Sequence, residues 1–374
     1  MKACSKVLAV VGARPNFVKT APVLGELRRR PERFECVLVH TGQHYDDSMS
    51  QVFLEQLGVG EPDYLLGVGS GTHAQQTARV MERIEPVMQQ LAPDVVLVPG
   101  DVNSTLAAVL VATKLGIPVG HIESGLRSFD RTMPEELNRI VADQLSDLLF
   151  IHSPEARENL LREGCEETRI HDVGNTMIDM LTVMRDLIAQ QHATERYALN
   201  RGDYLLVTLH RPALVDGPRL ADAVAALAEV ARELPVVFPV HPRTRRAIEA
   251  SGLDSHNNGV RLLEPLSYLE FLDLLTGAAG VLTDSGGVQE ETTYLGVPCF
   301  TLRENTERPV TCTLGTNTLI GLAPERIAEI PALLAENSRE SHIPPGWDGA
   351  AAGRIVDVLE RTIAHRDGRV GAFA

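Results

Sequence analysis

The chain lacks paired or closely spaced cysteines. Its five (Cys4, Cys36, Cys165, Cys299 and Cys312) are odd in number, scattered, and in no CxxC or other ligand spacing. That excludes a disulfide scaffold, and reduced, mostly buried thiols in a cytoplasmic protein are expected. Positive charge is also scarce: 35 Lys and Arg stand against 50 Asp and Glu, for a net charge of -15. Such a surface suits neither nucleic acid nor an anionic membrane, both of which need a basic face. An anionic ligand would need a local basic pocket. No apolar run approaches bilayer length, and Met1–Val11 reads as a first strand and not as a signal peptide. A GxGxxG turn is missing as well. The first strand runs into Gly12-Ala13-Arg14-Pro15-Asn16-Phe17-Val18-Lys19, with one glycine and two cations, which argues against NAD and for contact with an anion or base. His40 and His44 follow a strand into Gly42 and do not share a helix face, so zinc fits poorly, and neither metal nor cofactor is expected.

What is present is 374 residues of 44% hydrophobic composition, enough for two α/β cores. Short β-rich runs alternate with helix-period segments, the pattern of parallel βαβ units. In the first half the runs are Val7–Val11, Cys36–His40, Val95–Pro99, Pro118–Ile122, Leu148–Ile151 and Ile170–Val173. In the second they are Tyr204–Thr208, Val236–Pro239, Val260–Leu263, Gly280–Thr283, Cys299–Leu302 and Thr318–Ile320. The polar helical stretch Arg185–Asn200 lies between them; its Gln190-Gln191-His192-Ala193-Thr194-Glu195 cluster has little to bury, and it is the linker candidate. The expected fold class is α/β, two Rossmann-like domains facing each other across a cleft.

The notable polar residues fall where apolar strands end, which is where doubly wound sheets bind ligands. Thr283-Asp284-Ser285-Gly286-Gly287-Val288-Gln289-Glu290-Glu291 links a buried strand to a helix. Its glycines admit close backbone approach and the helix N–H groups face an anion, while Glu291, one turn on, suits the two donors of a ribose diol. The same residues would also serve as a plain helix cap with acidic dipole partners. Asp101 follows Gly100 just past a strand, as a functional carboxylate or as an N-cap. Glu123, in His121-Ile122-Glu123-Ser124-Gly125-Leu126-Arg127, has no packing role and little capping role at its strand exit, which favours function. Pro134-Glu135-Glu136-Leu137-Asn138-Arg139 opens a helix whose carboxylates commonly just complement the dipole. His210 and Arg211 lie past one strand of the second half and His241 past the next. Arg303, Arg308 and Lys19 are candidates for the basic pocket.

Taken in order, these motifs, with His210-Arg211-Pro212 and Thr306-Glu307-Arg308-Pro309, resemble the non-hydrolysing UDP-N-acetylglucosamine 2-epimerases over residues 5–365. The resemblance implies a GT-B fold. An N-terminal domain would span residues 1–180, with a C-terminal helix of about 352–366 returning to it. A UDP-binding domain would span 181–351. It also implies a homodimer and interconversion of UDP-N-acetylglucosamine and UDP-N-acetylmannosamine. By position, Asp101, Glu123, Glu135 and His210 match the catalytic set. Arg14 and Lys19 match the nucleotide-side cations, Ser285, Gly286 and Gly287 the phosphate loop, Glu291 the ribose carboxylate, Arg308 the diphosphate arginine, and Phe271 the uracil side. The chain departs from the family at Asn16, where many members have Glu, and at Asp46, where members regulated by their own substrate tend to have Gln. Activation by UDP-N-acetylglucosamine is therefore not implied.

Overall fold

The computed structural model describes residues 4–42, 58–210, 214, 219–240, 242–250, 259–336 and 341–371. The chain forms two compact units, Met1–Val183 with Pro345–Ala374, and Met184–Pro344.

Unit 1 is built on seven parallel strands: β1 (Ser5–Val11), β2 (Phe34–His40), β3 (Tyr64–Leu65), β4 (Val95–Pro99), β5 (Val119–Ile122), β6 (Leu148–Ile151) and β7 (Ile170–Asp172). Their order is β3-β2-β1-β4-β5-β6-β7. Val7, Leu8, Ala9, Val10 and Val11 are all buried, as expected of a central strand covered on both faces. The connecting helices are α1 (Arg14–Arg28), α2 (His73–Leu91), α3 (Asn103–Lys114), α4 (Pro134–Leu145), α5 (Pro154–Arg162) and α6 (Thr176–Val183). Every apolar run of the first half is a strand. Only β3 escaped the sequence reading, because a two-residue edge strand paired to the end of β2 carries too short a pattern.

Unit 2 repeats the plan with β8 (Leu205–Thr208), β9 (Val236–Pro239), β10 (Val260–Leu263), β11 (Gly280–Thr283), β12 (Cys299–Thr301) and β13 (Asn317–Leu319), ordered β10-β9-β8-β11-β12-β13. Its helices are α7 (Arg185–Ala189), α8 (Ala193–Arg196), α9 (Arg219–Val230), α10 (Pro242–Ala250), α11 (Tyr268–Gly277), α12 (Gly286–Leu295), α13 (Pro309–Thr313) and α14 (Ile330–Glu336). The polar stretch read as a linker is folded. Ile188, Ala193 and Thr194 are buried in it, and the Ala193 N–H donates to Asp273 Oδ2 at 2.7 Å.

In both sheets the order reverses between the first strand and the fourth, at β1/β4 and at β8/β11. A crevice opens at the carboxyl ends of the strands at such a point. The last helix, α15 (Ala351–Gly371), joins the core of unit 1. Its Ile355, Val356 and Leu359 pack in one cluster with Val7, Val23, Leu27 and Val95. The amino end of α15 is capped from α6: Asp179 accepts the N–H of Ala351 at 3.0 Å and that of Ala352 at 2.6 Å. Among the described residues no helix is long and apolar enough to cross a membrane. The cysteines are unpaired, and burial pushes the Cys36 thiol up to about 11 and that of Cys299 to about 12. Both thiols are therefore protonated and unreactive.

Asp179→Ala strips both acceptors from the amino end of α15 and should lower the unfolding free energy of unit 1 by about 1–2 kcal/mol. A lower urea midpoint reads this out, and an unchanged midpoint would remove the cap from the account of how α15 is held.

Candidate active site

In unit 1 the exits of β1, β4 and β5 are tied together by buried polar side chains. Asn16, in the first turn of α1, accepts the N–H of Gly12 at 3.1 Å and of Ala13 at 3.0 Å. Its Nδ2 donates to the Pro99 carbonyl at 3.3 Å, bridging to the end of β4. A glutamate here would have no N–H for that carbonyl, so the departure at Asn16 has a structural use. Gly12 admits close approach of α3, since a Cβ there would lie 2.2 Å from Ser104 Oγ.

Lys19 is buried on α1 and ion-pairs with Glu123 Oε2. Both converge on Gly100, where a Cβ would lie 3.2 Å from Lys19 Nζ, 3.6 Å from Asn16 Nδ2 and 3.8 Å from Glu123 Oε2. Glu123 itself has φ +69°, a left-handed conformation uncommon outside glycine. The turn persists because the N–H groups of Glu123 and Ser124 both donate to the Phe150 carbonyl, at 3.1 and 3.0 Å. Strain of this kind clusters at functional sites. Asp101, next to Gly100, ion-pairs with Arg139, and its carbonyl accepts Asn138 Nδ2 at 2.9 Å.

The two carboxylates opening α4 differ. Glu136 is buried and accepts the N–H groups of Ser128 and Phe129, each at 2.9 Å, so it shapes the preceding loop. Glu135 is half-buried and has no partner among the described residues. Arg14, at the start of α1, is exposed. The sequence reading passed over His152. It is buried just past β6, with a ring nitrogen within 4.8 Å of a Glu123 carboxylate oxygen and its carbonyl accepting Trp347 Nε1 at 2.8 Å. Its strand-exit position was the available signal. His40, by contrast, is a core residue against Phe17, and burial takes it down to about 4. Gln43, His44 and Asp46 lie outside the described residues.

In unit 2, Asp284 joins the exits of β8 and β11. It is buried, accepts the N–H of His210 at 2.9 Å, and its Oδ1 lies 2.9 Å from His210 Nδ1. The histidine ring is thereby oriented while staying exposed. Arg211, Pro212 and His241 lie outside the described residues. Ser285 makes no side-chain cap bond to α12, and Asp284 is turned to His210. A helix amino end without a cap from its N-cap side chain attracts anions. Arg308 lies over it, for a Cβ on Gly286 would be 2.5 Å from Arg308 Nη1. Glu290 holds Arg308 Nε at 3.0 Å, and Glu307 is paired in turn with Arg303.

Glu291, one turn along α12, is buried and accepts the Tyr268 hydroxyl at 2.7 Å. Burial pushes its carboxyl up to about 7, the neighbouring Glu290 adds to this, and the Tyr268 hydrogen bond opposes it. Phe271 is half-buried on α11, one turn after Tyr268.

Because Glu291 binds its proton more tightly in the folded chain than at its ordinary 4.5, its contribution to stability is complete below pH 4.5 and is lost as pH rises through about 7. Unit 2 should lose on the order of 2–3 kcal/mol from this group between pH 4 and pH 8, and Glu291→Gln should remove that part of the slope. Parallel wild-type and variant stability profiles would contradict it.

A family profile described as UDP-N-acetylglucosamine 2-epimerase matches residues 26–360. A UDP-N-acetylglucosamine 2-epimerase of Methanococcus maripaludis is 41% identical over 95% of this chain and 98% of its own length. A UDP-2,3-diacetamido-2,3-dideoxy-D-glucuronate 2-epimerase of Pseudomonas aeruginosa is 45% identical over 95% and 99%. The crystal structure of the Methanocaldococcus jannaschii UDP-GlcNAc 2-epimerase, in complex with UDP-GlcNAc and UDP, aligns with a TM-score of 0.86 at 40% identity, covering 95% of this chain and 99% of that one. The chain belongs to the UDP-N-acetylglucosamine 2-epimerase family, a family of isomerases on the α/β GT-B fold of two Rossmann-like units.

Proposed function

We propose that the chain interconverts UDP-N-acetylglucosamine and UDP-N-acetylmannosamine by inverting C2, without net hydrolysis. The observation that carries this is the set of carboxylates at the strand and helix ends of unit 1, held in different electrostatic settings: Glu123 beside Lys19, Asp101 beside Arg139, and Glu135 with no partner among the described residues. Family membership and the amino end of α12, without a cap bond from Ser285, support it.

C2–H is not adjacent to a carbonyl and is too weakly acidic for direct removal by a carboxylate. When the C1–O bond to UDP stretches, the ring becomes oxocarbenium-like and C2–H acidifies. A base then takes the C2 proton while the C1–O electron pair leaves with UDP in an anti elimination, giving 2-acetamidoglucal and UDP. A proton delivered to the other face of C2, with return of a UDP oxygen to C1, gives the epimer. Two faces need two proton-transfer groups. Lys19 favours the ionised form of Glu123, the form a base needs. Glu135, not committed to an ion pair, is assigned the opposite face, and Asp101 completes the set. In unit 2 the amides of Ser285, Gly286 and Gly287, with Arg308 and the oriented His210, would stabilise the departing diphosphate. Glu291 would take the ribose hydroxyls, the backbone at Phe271 the uracil, and Arg14 the nucleotide side.

The 45% identical relative gives a second substrate a specific claim: a UDP-2,3-diacetamido-glucuronate would undergo the same elimination at C2. Incubation of each sugar nucleotide with the protein in D2O, followed by proton NMR, distinguishes the two. A pair of C2 epimers carrying deuterium at C2 is expected from UDP-N-acetylglucosamine. Turnover of the uronate alone would transfer the assignment to the second substrate, free N-acetylmannosamine plus UDP would make the chain a hydrolysing epimerase, and two unchanged spectra would sink both readings. Asp101→Asn, Glu123→Gln and Glu135→Gln should each lose about 100-fold or more in kcat with UDP binding retained, and wild-type-like turnover in all three would overturn the roles given them.

The proposal includes a cytoplasmic homodimer, supported by exposed Phe129 and by Leu137 and Val141, exposed one turn apart on α4. Light scattering should return twice the chain mass, and a monomer at micromolar concentration would remove it.

A further inference from the structure

Deep in unit 1 lies a charged cluster that the proposed chemistry does not use. His121, on β5, is fully buried. Its Nδ1 is 2.7 Å from Asp143 Oδ1 on α4, and its Nε2 is 2.7 Å from the Gly100 carbonyl oxygen. The other Asp143 oxygen is 2.7 Å from Arg127 Nη1 and accepts the N–H of Gly125 at 3.1 Å. Arg127 is in turn paired with Glu163 through both Nε and Nη2, at 2.8 and 2.5 Å.

We infer that His121 is held as an imidazolium and is a positioning residue that sets the two turns presenting Asp101 and Glu123. The first half follows from donor and acceptor inventory. A carbonyl oxygen can only accept, and an ionised carboxylate can only accept, so each ring nitrogen must carry a proton. A neutral ring would put a lone pair 2.7 Å from an oxygen in a dry interior, a costly contact. Moving the proton to Asp143 is opposed by the Arg127 guanidinium on the same carboxylate. Burial works against ionisation of Asp143, but the bonds from His121 and Arg127 outweigh it and hold the carboxyl below its usual range. With His121 and Arg127 positive and Asp143 and Glu163 negative, the cluster is neutral overall.

The second half follows from what the ring touches. Gly100, at φ +61°, makes the exit turn of β4, and His121 fixes its carbonyl one bond before Asp101. On the other side, Asp143, which the ring's Nδ1 holds, takes the N–H of Gly125 at 3.1 Å, next to the bond from Ser124 Oγ to the main-chain carbonyl of residue 121 at 2.5 Å. The cluster thus holds the Gly100 carbonyl of one turn through the ring and the Gly125 N–H just after the left-handed Glu123 through Asp143. A conformation of that kind costs of order 1–3 kcal/mol and persists only where the surroundings over-determine it. Glutamine in place of His121 could donate to one acceptor but not span both, because its second polar atom is an acceptor.

The inference rests on the proposed roles of Asp101 and Glu123, so the test has readouts independent of turnover. In the wild-type protein, nitrogen NMR of the histidine rings, with the His121 signal assigned by its loss in His121→Gln, should show both His121 nitrogens protonated at pH 7. One unprotonated nitrogen would overturn the imidazolium. In His121→Gln, amide exchange of Glu123 and Gly125 should accelerate at least about 10-fold while the β1 amides keep their protection. Unchanged exchange at both turns would overturn the positioning role. If the wild type epimerises either sugar nucleotide, kcat of His121→Gln should fall about 100-fold with KM within a few-fold, with Asp143→Asn showing the same split. An undiminished kcat in a folded variant would likewise overturn the positioning role. A wild type inactive on both sugars with the ring and exchange results as expected would discard the reaction and leave the clamp standing. Should His121→Gln not fold, Asp143→Asn supplies the exchange and kcat comparisons, judged in the same way, and the ring signal that shifts in Asp143→Asn identifies His121 in the wild type, whose ring still decides the charge.

Discussion

The arrangement of this protein depends on one topological constraint: each parallel sheet reverses its strand order between its first and fourth strands, at β1/β4 and β8/β11. Where the order reverses, the connections after the two central strands part, and the strand carboxyl ends are left accessible. Both candidate clusters lie at these ends. Gly12–Lys19 and Gly100–Asp101 follow β1 and β4, while His210 and Asp284–Glu291 follow β8 and β11. The rest of each unit is an apolar core that fixes where those ends point.

Charge placed at such an exit must be paired or used. In unit 1 the pairing is extensive: Lys19 with Glu123, Arg139 with Asp101 and Glu136, and the His121–Asp143–Arg127–Glu163 cluster behind them. Removing one member of a buried pair strands the other, which costs more than the pair itself contributes. The groups are therefore fixed in place before any ligand arrives. That preorganisation is what electrostatic catalysis requires. Unit 2 shows the complementary economy, with Asp284 and Glu290 each orienting a cation-capable side chain while Ser285 makes no side-chain cap bond at the start of α12.

Much of the architecture was legible in the sequence because a strand buried on both faces writes itself as a continuous apolar run. All twelve runs read from the sequence are strands, and β3 was missed because two residues at an edge have no period to detect. The stretch 185–200 was read as helical and polar, and it does carry two short helices just past the boundary between the units; what its polar composition hid is that Ile188 and Ala193 are buried. Among the candidates, strand-exit position singled out Asp101, Glu123 and His210, and the loop-to-helix motif after β11 singled out Glu291. The strand-exit rule, applied to Ile151-His152, would have found His152.

By itself, then, the sequence determined the alternation of strands and helices, the family, and the candidate residues, because these are properties of local pattern and order along the chain. Only the tertiary structure decided which of two adjacent glutamates anchors a loop and which has no partner, since Glu135 and Glu136 differ by one step of helical rotation. It also decided that Lys19 meets Glu123, that Asn16 reaches the end of β4, and that His121 lies between Gly100 and Asp143. Those contacts join residues far apart in the chain. Their geometry is set by sheet order and helix packing, about which single residues carry no record.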